Sequence, residues 1–87
     1  MDRKEAGSIA DAIVAELRSV PYDRLTKRLL GEIETREVTG PSGVTYQVES
    51  QGLWDTGKPG PLRVIVGVDD GTLRGAFRPV DRHFLVG

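Results

Sequence analysis

"GLWDTGKPGPLRVIVGV", Gly52 to Val68, is the stretch on which the fold turns. Gly52 to Lys58 match the phosphate-loop pattern G-x-x-x-x-G-K. Such a loop wraps backbone N–H groups around phosphate and places a Ser or Thr hydroxyl on magnesium. It also needs a helix whose N-terminus faces the anion. Pro59 stands where the hydroxyl should be and supplies neither O–H nor N–H. Pro61 breaks any helix starting there. The residues after Pro61 alternate: Leu62, Val64, Val66 and Val68 fall on one face of a strand. The stretch therefore reads as a connection between two strands, and the chain is too short for the parallel sheet that surrounds a nucleotide loop.

The neighbours extend the pattern. "VTYQVES" puts Val44, Tyr46 and Val48 on one face and Thr45, Gln47 and Glu49 on the other. Trp54 keeps the parity of Val44 unless a bulge intervenes, and Gly52 invites one. "GPSG" (40–43) and "DDGT" (69–72) are turn sequences. Expected strands are about 36–39, 44–54, 62–69 and 73–78, with 79–87 irregular or a short strand. Pro79 argues against a central sheet position there.

The N-terminal third has helical spacing. Ile9, Ile13, Leu17 and Val20 form one stripe, behind Ser8 as N-cap with Asp11 at its third position. Pro21 stops that helix. Tyr22, Leu25, Leu29 and Ile33 form a second stripe behind Asp23, with Gly31 as a weak point. The expected helices are about 8–20 and 23–34, after a disordered end at 1–7. Helices followed by strands indicate α+β. The expectation is a single domain over residues 1–87, with two N-terminal helices on one face of a roughly four-stranded antiparallel meander sheet. The other face, with Thr45, Gln47, Glu49, Arg63 and Arg74, should be wet.

Composition narrows function. Twelve basic residues face thirteen acidic ones, which argues against a dedicated DNA binder. There is no cysteine, so no thiolate chemistry. No apolar run approaches the roughly 18 residues of a membrane span, and Asp11 and Glu16 interrupt any secretory core. The expected location is cytoplasmic. His83 is the only histidine, too little for a standard zinc site, and a weak surface pair with Asp81 is its expected role. No nucleophile–base arrangement is evident, and no catalytic, cofactor or metal residue is assigned.

The candidate partner-binding residues are Trp54, Arg63, Arg74, Arg78 and Arg82. Trp is enriched at binding hot spots. Arg74, Arg78 and Arg82 lie four apart, on one side of an extended chain. The leading expectation is a non-catalytic domain that binds an unidentified protein partner or forms a homodimer. Weak nucleic-acid or anion binding through Arg74, Arg78 and Arg82 is second, and a small enzyme third.

Together, "GPSGVTYQVESQGLWD", "LRVIVGVDDG" and "AFRPVDRHFLV" resemble a group of small bacterial proteins with a GPSG turn, a Trp-Asp pair and a DDG hairpin. The resemblance spans about Glu34 to Val86 and leaves out the N-terminal helices. It implies bacterial origin and a small sheet domain, and it carries no activity or functional residues.

Overall fold

The structure is a computed structural model and describes residues 1–71 and 79–87. The expected strand at 73–78, with Arg74 and Arg78, lies outside the described residues. The elements are α1 (Arg3–Arg18), α2 (Tyr22–Leu29), β1 (Glu34–Thr39), β2 (Thr45–Trp54), β3 (Leu62–Asp69) and β4 (Val80–Val86). The strands form one antiparallel sheet in the order β1-β2-β3-β4. Both helices lie on one face of it: α1 over β3 and β4, α2 over β2 and β3. This is the α+β architecture expected from the order of the patterns.

The sheet follows from parity. In β3, Leu62, Val64, Val66 and Val68 are fully buried, and the residues between them are only partly so. In β2, Tyr46, Val48, Ser50 and Gly52 point the same way. Against them pack Ile9, Ile13 and Leu17 of α1 and Leu25 and Leu29 of α2. Neither helix packs broadly on β1. Of its helix-side residues, Val38 reaches the core, while Glu34 and Arg36 pair with the helices. Arg28 donates from Nε to Glu34 at 2.7 Å, and Arg36 donates to Glu16 at 2.9 Å. These exposed pairs are worth at most about 1 kcal/mol each.

The structure corrects several boundaries. Residues 3–7 are helical, not frayed. Asp2 is the N-cap: its Oδ1 accepts from the amides of Lys4 and Glu5, each at 3.0 Å. Ser8 is exposed within the helix. The second helix ends at Leu29, not near Glu34. Gly31 has φ +77°, the left-handed region that terminates helices. Ile33 therefore leaves the α2 stripe and is 58% exposed. Asp23 sits in the first turn of α2 and does not cap it; Pro21 holds the N-cap position.

Gly52 makes no bulge. The β2–β3 register runs unbroken from Gln47–Asp69 to Trp54–Leu62. Gly52 is instead a point of close approach: a Cβ there would lie 3.2 Å from Leu62 Cδ1 and 3.3 Å from Leu29 Cβ. The connection after Trp54 closes with Asp55 N donating to Pro61 O at 2.9 Å and contains a cis Lys58–Pro59 bond. Tyr22 Oη donates to Gly60 O at 2.7 Å and ties this loop to α2. A strand, not a helix, comes after it.

Val80–Val86, expected to be irregular or a short strand, is a full edge strand. Pro79 immediately precedes it, where its missing N–H costs no ladder bond. The GPSG turn closes with Gly43 N donating to Gly40 O at 2.9 Å. The DDG turn opens with Asp69 Oδ1 accepting from Gly71 N at 2.8 Å.

Candidate interaction face

A strand shows alternate residues to opposite faces. Tyr46, Val48 and Val64 point to the helices, so the odd-numbered strand residues face away. These are Thr35, Glu37 and Thr39 of β1 and Thr45, Gln47, Glu49, Gln51 and Leu53 of β2. They continue with Arg63, Ile65, Gly67 and Asp69 of β3, and Asp81, His83 and Leu85 of β4. No described element covers this face. It was expected to be wet, and most of it is polar. It also carries Leu53 and Leu85, 47% and 51% exposed, with Ile65 between them on the central strand. Leu53 and Leu85 each pair with Arg63, one from either side. Both are then diagonal neighbours of Ile65, about 7–8 Å away. Ile33, displaced from the helix, joins the same face beside Gln51 and Ile65.

The candidate residues separate. Arg63 is on the open face and is held there. Its Nε and Nη2 donate to Asp55 Oδ1 at 2.9 and 2.8 Å, and its Nη1 lies 2.7 Å from His83 Nδ1. A guanidinium only donates, so Nδ1 accepts and the ring proton sits on Nε2. The described partner of His83 is thus Arg63 and not Asp81. Arg82 turns to the helix side, where its Nε donates to Asp11 Oδ1 at 3.0 Å. Trp54 is also on the helix side, half-buried against the core. Arg74 and Arg78 lie outside the described residues, so the three-arginine ridge is described only at Arg82, which does not share a face with Arg63.

A second cluster, unseen in the sequence, joins the start of α1 to the GPSG turn. Glu5 Oε1 accepts from Ser42 Oγ and from Tyr46 Oη, both at 2.6 Å, and Oε2 accepts from Ser42 N at 3.0 Å. The Ser42 hydroxyl, then Tyr46 and the Ser42 amide, hold the Glu5 carboxyl below its ordinary range. The bond to Glu5, and after it burial, pushes the Tyr46 phenol up to about 12. A carboxylate stabilised in its charged form is a weaker base. The arrangement fastens a turn to a helix. An open groove of about 390 Å³ beside it is walled by Ile9, Ala12 and Pro41. Its two carboxylates, Asp2 and Glu5, are engaged in the bonds already described.

Among the described residues, no group of three or more His, Asp or Glu is placed to hold a metal ion. No helix among them is long and apolar enough to cross a membrane. No family model, curated protein or solved structure matches this chain.

The apolar part of the open face had a signal in the sequence. Parity carried from Gln47 and Glu49 reaches Leu53, and parity carried from Arg63 reaches Ile65. Leu85 needs the β3–β4 register, which no local pattern supplies.

Proposed function

We propose that this chain is a non-catalytic protein-interaction domain, acting in the cytoplasm, and that its contact surface is the open face of the sheet. The observation that carries the reading is the cluster of Leu53, Ile65 and Leu85, with Ile33 beside it, on a face that no described element covers. Scattered exposed apolar residues are ordinary, but a contiguous group rimmed by polar residues marks interaction surfaces. Arg63 adds a rigid, bonded polar group at its centre, and Arg is enriched in contact surfaces. Helix-side Arg82 belongs to Asp11, which favours a protein contact over a phosphate backbone.

The test places a photo-crosslinking residue at Leu53 or Leu85 in the native cell, with exposed α1 positions Ala12 and Ala15 as controls. Protein adducts are expected from the two sheet positions and none from the helix. Adducts from Ala12 or Ala15 alone would overturn the proposal.

A further inference from the structure

The open face is uneven in charge and shape. Its described residues carry Glu37, Glu49, Asp69 and Asp81 against one cation, Arg63, with Asp55 of the adjoining loop bonded to it. Glu37 accepts from Gln47, and Asp69 accepts from its own turn. No described residue pairs with the carboxylates of Glu49 and Asp81. These two stand in one row, both in register with Gly67 and on either side of it. Two strand spacings separate them, about 10 Å backbone to backbone. Gly67 puts no side chain between them. The result is a cleft of about 160 Å³, with Ile33, Ile65 and Pro79 as apolar walls and Glu49 and Asp81 at its sides. It is smaller than the roughly 300–1,000 Å³ of small-molecule sites.

We infer that the open face docks a cationic protein segment with apolar side chains, and that the Gly67 cleft takes one of its Lys or Arg side chains. This rests on the reading of the open face as the contact surface and adds the chemistry of the partner. A long basic side chain has an apolar stem and a charged head. The stem fits against Ile65 and Pro79, and the head falls between Glu49 and Asp81. Leu53, Ile65 and Leu85 take the partner's apolar residues. A second copy of this chain is a poor occupant: two such faces set carboxylates against carboxylates, and like charges across an interface repel. Arg63 cannot relieve this without giving up Asp55.

The test uses three capped octapeptides: alternating Leu and Lys, alternating Leu and Glu, and alternating Ser and Lys. Binding is followed by amide NMR shifts on the full chain at low salt. The Leu/Lys peptide should shift Glu49, Ile65, Gly67 and Asp81, and its affinity should fall about tenfold between low and moderate salt. Glu49→Gln with Asp81→Asn should weaken it about tenfold. Gly67→Val should weaken it similarly by filling the cleft while keeping every charge. A Cβ at Gly67 meets only Pro79 Cβ, at 4.0 Å, so the position has room for a side chain, and an unchanged Tm by circular dichroism is required of this variant before its binding is read. Equal binding of the Leu/Lys and Leu/Glu peptides at Leu53 and Leu85 would overturn the cationic partner and leave the contact surface standing. Binding of the Ser/Lys peptide as tightly as the Leu/Lys one would overturn the role of the apolar residues. Shifts confined to other surfaces would overturn the inference outright, and the crosslinking experiment would then judge the face by itself.

Discussion

Gly52→Ala places one methyl group where α2 meets the sheet. Its backbone is not in the left-handed region, so the chain itself accepts alanine. The cost is packing. The new Cβ would lie 3.2 Å from Leu62 Cδ1 and 3.3 Å from Leu29 Cβ, inside the ordinary carbon contact of about 3.5–4.0 Å. Leu29 and Leu62 are fully buried, so neither can swing into solvent. Overpacking of this kind costs about 1–3 kcal/mol. Alanine returns about 0.5–1 kcal/mol by restricting the unfolded chain. The net is about 1 kcal/mol of destabilisation, or a fall in Tm of about 4–8 °C for a domain of this size. Thermal unfolding followed by circular dichroism measures it. The mechanism makes a second demand. Leu62→Val shortens the group that Ala would strike, so it should cost less in the Gly52→Ala background than in the wild type, by about 0.5–1 kcal/mol of coupling. A Gly52→Ala variant as stable as the wild type, or simple additivity with Leu62→Val, would refute close approach as the role of Gly52.

The Tyr46 phenol should ionise late in a spectrophotometric titration, near 12, because its neutral form is the one bonded to Glu5. A raised folded pKa means that its stabilisation is present below 10 and is lost as pH rises from about 10 to about 12. Glu5 has the opposite sign: its lowered pKa gives stability that is present above about 4.5 and is lost as pH falls through the folded value. Glu5→Ala should move the late tyrosine midpoint back toward the ordinary value and flatten both limbs of the stability profile. Trp54→Ala should destabilise by about 2 kcal/mol, less than the 3–5 of a fully buried aromatic, because Trp54 is half-buried on the helix side. Chemical denaturation checks this, and a loss near zero would show that Trp54 contributes nothing to the core.

How far the fold was legible depends on the range of each signal. The β3 alternation and the turns around it are local, and they placed the central hairpin and the helix-side face. Tyr46 and Val48 came from the same parity, but Val44, expected on the same face, precedes β2 and is exposed. The start of α1 was hidden because Asp2 sits in "MDRKE", which reads as a charged tail, and its capping bonds are made to amides only two and three residues on. The end of α2 was overrun because Ile33 fits the helical stripe, and the positive φ at Gly31 decides otherwise. The latch from Glu5 to Ser42 and Tyr46 joins residues 37 and 41 positions apart, and no periodicity reports such a pair. Arg82 pairs with inward-facing Val66 and so turns beneath α1, whereas Arg63 pairs with outward-facing Leu85. That assignment needs the β3–β4 register. The same pairing brings Leu85 beside Arg63 and makes an apolar group out of residues that look scattered along the chain.

Partner binding through the open face stands or falls on Leu53 and Leu85. Leu53→Thr with Leu85→Thr keeps strand-compatible residues and removes the two leucines of the apolar group, leaving Ile65 and Ile33, so Tm should hold within a few degrees. A photo-crosslinking residue at Gln51, in the same face, reports partner contact in the native cell. A clear protein adduct is predicted from otherwise wild-type chain, with at least a tenfold lower yield from the double variant at unchanged Tm. An undiminished adduct in the double variant would contradict the open face as the contact surface.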